Sequence, residues 1–142
     1  MWLFQSPFLR SSSPISICSI YIPPDQNGST RQFAELIQSF PAPVFFCGDM
    51  NAHSPTWGGT QTNARGNIID NFLQACSDIL LLNTPNTPTH INDTYQTSST
   101  IDLTFCSTSL ATHLSWKTHI DLCDSDHYPM GYIYLLIKLI MQ

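Results

Sequence analysis

Two short clusters of acidic, amide and imidazole side chains stand out in this 142-residue chain. In the first, Asp49, Asn51 and His53 alternate along one turn, directly after the apolar run VFFC. In the second, Asp126 and His127 are neighbours in an acidic loop. A carboxylate beside an imidazole can bind a metal or tune the imidazole as a base. The plainer alternatives are an Asx-turn for the first cluster and a solvated acidic loop for the second.

Two further polar residues lie in or beside apolar runs. Asp102 is the one charged residue of TIDLTFC, and burying a carboxylate is costly unless it is paired or hydrogen-bonded. We therefore expect an imidazole or a metal beside Asp102; the alternative is an edge strand that turns it to solvent. Tyr21 follows another apolar run, so its hydroxyl could reach a phosphate oxygen, or its ring could serve packing alone.

Strands and helices alternate along the chain, which places these residues where strands begin or end. Helical spacing of apolar residues predicts one helix between Ser29 and Pro41 and a second one after Gly66. Rigid strands aim loop residues such as Asp49 at a common point. The predicted class is α/β or α+β with mixed sheets. Apolar or alternating runs predict strands over residues 15–22, 44–47, 79–82, 100–106, 114–120 and 128–137.

The composition suits one globular domain and argues against tight, autonomous binding to DNA. Hydrophobic residues make up 42% of the chain, but charged residues only 11%, against about 25% in an average soluble domain. The net charge is −5, and the five basic residues are scattered, whereas DNA-binding proteins carry a basic stripe that displaces counterions. The low charge is consistent with a surface that is covered by another segment.

The ends of the chain and its cysteines predict an intracellular protein, nuclear or cytoplasmic. The N-terminus lacks the charged and apolar regions of a signal peptide, and the five cysteines form no CxxC pair. The apolar C-terminal run GYIYLLIKLIMQ is shorter than the roughly 20 residues that a bilayer span needs. No membrane partner is expected.

As an ordered set, eight segments resemble the endonuclease/exonuclease/phosphatase superfamily: SIYIPP, GDMNAH, WGG, NARG, LLN, PTH, IDLTFCS and SDHYPM. More narrowly, residues 15–130 resemble the endonuclease domain of jockey-like non-LTR retrotransposons. The resemblance implies a DNase I-like fold, in which a mixed β-sandwich of two sheets is flanked by helices. It also implies divalent-metal-dependent hydrolysis that nicks one DNA strand, and a reverse transcriptase domain in the full-length element.

The resemblance implies a role for each residue of the site. Asp49 would position or help to deprotonate the attacking water, and Asn51 would stabilise the phosphate. His127 would contact the scissile phosphate or act as a base, while Asp102 orients its ring. Tyr21 would steady the phosphate.

The resemblance also implies a metal site and a DNA-binding face. Asp49 and Asp126 would belong to the metal or water network, and their hard oxygen ligands fit Mg²⁺ or Mn²⁺. Asn63 and Arg65 match a segment near the DNA-binding face, with a plain surface turn as the alternative. Three other residues occupy motif positions: His53 and His90, expected to make structural hydrogen bonds, and Trp57, expected to pack under the loop or to touch DNA.

Two residues that the superfamily carries before the SIYIPP strand have no counterpart here. They are an Asn and a metal-binding Glu, whereas the single glutamate of this chain is Glu35, on a later helix. We therefore expect an incomplete, N-terminally truncated domain over 15–137, with a poorly defined segment at 1–14, a tail at 138–142 and weak or absent nuclease activity. The alternatives are a catalytically dead remnant or interaction module, and a lipid or inositol phosphoesterase of the same superfamily.

Overall fold

A five-stranded mixed sheet forms the centre of the computed structural model, which describes residues 2–4, 14–26 and 28–134. Its strands, numbered along the chain, are β1 (Trp2–Phe4), β2 (Ile15–Ser19), β3 (Val44–Asp49), β4 (Ile79–Leu81) and β7 (Asp102–Ser107). They lie in the order β1-β2-β3-β7-β4. Only β2 and β3 run parallel within this sheet; the other neighbours are antiparallel.

Two antiparallel hairpins stand beside the central sheet. One pairs β5 (His90–Asn92) with β6 (Thr97–Ser99), and the other pairs β8 (Leu114–Thr118) with β9 (Met130–Tyr134). A single β-bridge between His90 and His127 ties the first hairpin to the loop that precedes β9.

The helices begin at side-chain caps that the sequence supplies. Ser29 accepts a hydrogen bond from the Gln32 N–H at 3.2 Å, and the Gln32 side chain accepts one from the Ser29 N–H at 2.9 Å. This capping box satisfies amides that would otherwise lack partners. Asn63 caps the second helix by accepting from the Gly66 N–H at 2.7 Å. The three helices are α1 (Thr30–Gln38), α2 (Ala64–Ala75) and α3 (Thr108–Ala111).

Alternation along β3 and β7 gives the central sheet two different faces. On one face, Phe46 and Phe105 pack with Phe33 of α1 and Phe72 of α2 in one buried cluster. The Phe33 ring is 5.1 Å from that of Phe72 and 6.0 Å from that of Phe105, both edge to face. Each of these buried side chains stabilises the fold by roughly 1.5–3 kcal/mol.

The opposite face of the sheet supports the β8–β9 hairpin. The Tyr132 ring lies 4.8 Å from that of Phe45, and its hydroxyl is 2.9 Å from the Thr104 hydroxyl. Burial raises the pKa of Tyr132, so the phenol stays protonated. An apolar groove of about 390 Å³ remains open on this face, lined by Ile15, Ile17, Phe45, Cys47, Leu110, Leu114 and Tyr132.

The predicted mixed α/β class is confirmed, with shifts at the ends of elements. The first predicted strand ends at Ser19 rather than at residue 22, and α2 begins at Ala64, inside the predicted loop. The predicted last strand is present over Met130–Tyr134, and residues 135–142, with the predicted tail, lie outside the described part. The prediction missed β5 and β6, because HIN and TSS carry no apolar alternation, and it missed β1 within the segment before residue 15.

Candidate active site

Asp49 and Asp102 stand directly opposite each other at the ends of the antiparallel strands β3 and β7. By strand alternation, both side chains lie on the sheet face that carries Phe45 and Cys106. Like charges in opposed positions destabilise a sheet, so each carboxylate needs its own compensating partner.

The negative charge of Asp102 is stabilised by a hydrogen bond with His127. Its Oδ2 lies 2.8 Å from His127 Nδ1, and its side chain is 10% exposed against 34% for the imidazole. Because an ionised carboxylate can only accept, the hydrogen bond places the imidazole proton on Nδ1 and leaves Nε2 as the free ring nitrogen. Asp102 therefore does not turn to solvent on an edge strand; it orients the imidazole that lies above it.

The loop that carries His127 is fixed against the β5–β6 hairpin. The Ile91 N–H donates to the Asp126 carbonyl, and the Tyr128 N–H donates to the Thr89 carbonyl, both at 2.8 Å. The Ser125 hydroxyl accepts from the His127 N–H at 3.0 Å. These bonds turn a chain segment that is mostly exposed into a defined support for one ring.

Two buried polar residues hold the strand under Asp102. The Thr89 hydroxyl accepts from the N–H groups of Ile101 and Asp102 at 3.1 and 3.0 Å. The Asn83 amide donates to the Asp102 carbonyl at 2.9 Å and accepts from the Thr104 N–H at 2.8 Å. The motifs LLN and PTH contain both residues, but nothing in the sequence separates such buried hydrogen-bonding roles from surface polarity.

The negative charge of Asp49 is stabilised by two hydrogen bonds from Asn51. Its Oδ1 accepts from the Asn51 N–H at 2.9 Å, and its Oδ2 accepts from the Asn51 Nδ2 at 3.2 Å. Asn51 has a φ of 47°, a left-handed conformation that asparagine tolerates better than most residues. The Asx-turn is thus present, and it holds the Asp49 carboxylate at the end of β3. The second amide hydrogen goes to the Ile22 carbonyl at 3.2 Å.

Gly48 allows the segment around Ile20, which follows β2, to lie close to the end of β3. Its φ is +144°, and a side chain on it would collide with the Ile20 carbonyl. The Ile22 N–H bonds to the Asp49 carbonyl at 2.9 Å, which brings Tyr21 alongside Asp49. Tyr21 is 65% exposed, so its hydroxyl is available to a ligand.

The Asp49 carboxyl has a perturbed proton affinity. Burial raises its pKa above the ordinary value of 3.8, and the Asp102 carboxylate raises it further. The hydrogen bond from Asn51 and the imidazoles of His127 and His90 act in the opposite direction. Asp49 is therefore a stronger base than an exposed aspartate.

Asn63 and Arg65 are tied into the protein rather than turned outward. The Asn63 side chain donates to the backbone carbonyl of Asn51 at 2.9 Å and accepts from the His53 N–H at 3.1 Å.

Arg65 is 5% exposed, and its guanidinium donates to four backbone carbonyls, those of Ile22, Pro23, Gln26 and Met50. Direct contact with substrate stays a prediction for both residues; the observed bonds brace the two chain segments beside Asp49.

The remaining motif residues divide between the core and the site. Trp57 is fully buried, and its Nε1 donates to the Ala52 carbonyl at 3.1 Å, so it packs under the loop.

His90 Nδ1 lies 3.2 Å from the Ser99 hydroxyl, which is the structural bond expected for it. His53 and His90 both line a polar groove of about 410 Å³ that reaches Asn51. Asp126 has a side chain that is 69% exposed, 3.8 Å from His90 Nε2.

The donor set around Asp49 suits a hard divalent cation. Its carboxylate, half-buried at the end of β3, and the side-chain oxygen Oδ1 of Asn51, which accepts no hydrogen bond from a described residue, are oxygen ligands of the kind that Mg²⁺ and Mn²⁺ prefer. Asp102 is engaged by His127, so it contributes charge rather than a free ligand. The residues present therefore fit such an ion through one carboxylate, with water or substrate oxygens completing its coordination.

Comparison with known proteins identifies the family. Residues 15–131 match the family model described as endonuclease–reverse transcriptase, a span that includes both clusters and Asp102. The chain belongs to this endonuclease–reverse transcriptase family. It is the retrotransposon endonuclease domain of the endonuclease/exonuclease/phosphatase superfamily, as the order of its motifs indicates.

Two relatives agree with this assignment. The chain is 27% identical over 117 residues to a probable RNA-directed DNA polymerase from transposon X-element of Drosophila melanogaster, covering 82% of this chain and 13% of that protein. It superimposes with a TM-score of 0.74 and 28% identity on the endonuclease domain of TRAS1, a telomere-specific non-LTR retrotransposon, covering 92% of this chain and 62% of that domain. The DNase I-like fold is thereby confirmed, and the chain spans only part of each relative.

The described part of the chain contains no helix with the length and apolar character of a bilayer span.

Proposed function

We propose that this domain hydrolyses phosphodiester bonds of DNA with the help of Mg²⁺ or Mn²⁺ and nicks one strand. The observation that carries the proposal is the Asp102–His127 hydrogen bond of 2.8 Å on the sheet edge where Asp49 stands opposite Asp102. A buried carboxylate, an oriented imidazole and a second carboxylate of raised pKa form a combination suited to acid–base chemistry. Similarity to the TRAS1 endonuclease domain supports DNA as the substrate.

The imidazole and the second carboxylate have separate roles in this proposal. His127 donates its Nδ1–H to Asp102 and turns Nε2 to the scissile phosphate, where the protonated ring donates a proton to the departing oxygen. Asp49 orients the attacking water and takes its proton. Tyr21, exposed beside Asp49, donates its hydroxyl to a phosphate oxygen.

Asn51 would hold Asp49 in place and contribute a ligand oxygen for the cation. Both hydrogens of the Asn51 side-chain amide are engaged, by Asp49 and Ile22, so Asn51 holds Asp49 in place and would offer its side-chain oxygen Oδ1 to the cation. Asp126 belongs to the same metal or water network. When bound, the cation neutralises charge on the phosphate and polarises water.

We further propose that the 142-residue chain on its own binds Mg²⁺ weakly and turns over slowly. Among the described residues, Asp49 is the one carboxylate that faces the Asn51 amide without being tied to an imidazole. A cation held through a single carboxylate relies on waters and on the substrate phosphate for its other ligands. Because the curated relative is an RNA-directed DNA polymerase, we propose that the domain acts beside a reverse transcriptase in a longer, intracellular polypeptide, nuclear or cytoplasmic.

Nicking of supercoiled plasmid tests the proposal, with an inositol phosphate and a phosphoinositide vesicle as competing substrates. We expect slow conversion of supercoiled to open-circular DNA that requires Mg²⁺ or Mn²⁺ and stops with EDTA. Release of phosphate from either competitor without nicking would favour the lipid or inositol phosphoesterase. Absence of hydrolysis on every substrate would favour a non-enzymatic remnant.

A further inference from the structure

A second cluster of metal-ligating side chains lies beside the Asp102–His127 pair. His90, Asp126 and His127 each offer one ligand atom, and these atoms lie within 4.8 Å of one another. The two imidazole rings are 4.8 Å apart between centroids. His90 Nε2 and Asp126 Oδ2 are 3.8 Å apart, close to the separation of two ligands on one small cation.

Both imidazoles are oriented as metal-ligating histidines are. His127 Nδ1 is engaged by the Asp102 carboxylate at 2.8 Å, and His90 Nδ1 by the Ser99 hydroxyl at 3.2 Å. An oxygen on Nδ1 fixes the ring and leaves Nε2 free as the ligand, the arrangement found around histidine-bound metals. The bridge between His90 and His127 holds the two backbones side by side.

The chemistry of these ligands differs from that of the Asp49 site. Two imidazole nitrogens and one carboxylate favour a borderline cation such as Zn²⁺ over Mg²⁺. Three protein ligands with one open position form a common zinc arrangement. The Asp126 side chain is 69% exposed, so it is free to close the remaining distance to an ion.

We infer that His90, Asp126 and His127 form a binding site for Zn²⁺, whose two imidazole ligands distinguish it from the hard-cation site at Asp49 and which shares only Asp126 with the proposed hard-cation network. Occupation of this site engages His127 Nε2, the atom that the proposed reaction needs. Zn²⁺ is then an inhibitor of the nuclease, a consequence that rests on the proposed function. The binding itself does not rest on it.

Titration calorimetry with Zn²⁺ and the absorption spectrum with Co²⁺ test the site. A Cys123→Ser background is used because this exposed thiol lies in the same loop as Asp126. We expect one Zn²⁺ per chain and a Co²⁺ spectrum without thiolate bands. His90→Gln is expected to weaken binding by more than about 10-fold, and Ser99→Ala by about 10-fold. His119→Gln, an exposed histidine outside the cluster, is the matched control.

Circular dichroism checks that each variant is folded, and Asp126→Asn, at an exposed position, replaces any imidazole variant that is not. Equal affinity in wild type, His90→Gln and Asp126→Asn would overturn the inference, as would no binding by the wild type. Zn²⁺ inhibition of Mg²⁺-dependent nicking is measured separately. Binding without any nicking activity would contradict the proposed function and leave the zinc site standing.

Discussion

Two aspartates that face each other across a pair of strands have different environments. Asp102 is buried, and its charge is matched by an imidazole at 2.8 Å. Asp49 is less buried, and it is held by an amide and a backbone N–H. Opposed carboxylates with separate partners are a common way to give two like groups different roles. In the proposed reaction, Asp102 orients the imidazole and Asp49 accepts a proton.

The raised pKa of Asp49 predicts a specific dependence of stability on pH. Because burial favours the protonated form, ionisation of Asp49 costs folded-state stability as pH rises from its ordinary pKa of 3.8 through the raised folded-state value. Asp49→Asn avoids this cost. We expect the free energy of unfolding of the wild type to fall relative to that of Asp49→Asn across this window and then to level off. Urea denaturation at a series of pH values measures both free energies of unfolding. A wild-type value that rises with pH relative to that of Asp49→Asn would contradict the assignment.

Chemical type and order in the sequence predicted candidate residues that the fold brings close together, such as Asp102 and His127, but not all of their partners. An aspartate in an apolar run predicted a buried, paired carboxylate, and His127 is that partner. The nearness of His90 to His127 could not be predicted, because it depends on a hairpin of short polar strands. The burial of Arg65 could not be predicted either, because the sequence around it predicted a loop and an arginine beside a glycine in a loop is usually exposed.

At the scale of elements, the position of Asp102 depends on the buried contacts of β7. Thr89→Val keeps the shape of the side chain and leaves the N–H groups of Ile101 and Asp102 without their acceptor. Two buried donors without partners cost about 2–4 kcal/mol in the free energy of unfolding. Thr97→Val, at an exposed position of β6, is the control and is expected to change little. Urea denaturation compares the two, and equal stabilities would show that Thr89 does not brace β7.

Arg65 braces the chain segments on the other side of Asp49. Its four bonds to carbonyls need the planar fork of a guanidinium, which an ammonium group cannot reproduce. We expect Arg65→Lys to lose about 3 kcal/mol or more of unfolding free energy.

Arg31→Lys provides the matched control for Arg65→Lys. Its side chain is 87% exposed in an i,i+4 pair with Glu35, so the change is expected to stay below about 0.5 kcal/mol. Thermal denaturation of both variants checks the comparison, and a small effect of Arg65→Lys would favour a surface role for Arg65.

Helices and long strands could be predicted from the sequence because their signals are local. Ser29 with Gln32, and the apolar run before Asp49, are patterns of a few adjacent residues. The pairing order of the sheet is set by contacts between distant segments, such as β3 with β7. Short polar strands such as Thr97–Ser99 gain their structure from the neighbour that they pair with, so periodicity could not reveal them.

At the scale of the whole molecule, one face of the central sheet forms the larger core and the other carries the candidate site. One face packs against α1 and α2 and forms the larger core. The other carries the β8–β9 hairpin, the open apolar groove and, at the strand ends, Asp49 and Asp102. The loop between β8 and β9 therefore brings His127 onto the face where the carboxylates already lie.

The net charge of −5 and the scattered basic residues bear on the proposed binding of DNA. A surface without a basic stripe gains little from counterion release. In the proposed function, the groove beside Asn51 and the cation therefore account for the recognition of DNA by this chain. The chain covers 13% of the curated relative, and we propose that other parts of such a polypeptide supply the affinity for DNA.

The central claim is that His127, oriented by Asp102, carries out phosphodiester cleavage next to Asp49. The most direct measurement is the single-turnover rate of plasmid nicking in Mg²⁺ and in Mn²⁺ for the wild type, His127→Ala, Asp102→Asn and the control His119→Gln. We expect slow cation-dependent nicking by the wild type and the control, and a loss of about 100-fold or more in His127→Ala. Asp102→Asn is expected to lose activity while binding DNA as before. Nicking that proceeds at the wild-type rate in His127→Ala would contradict the account.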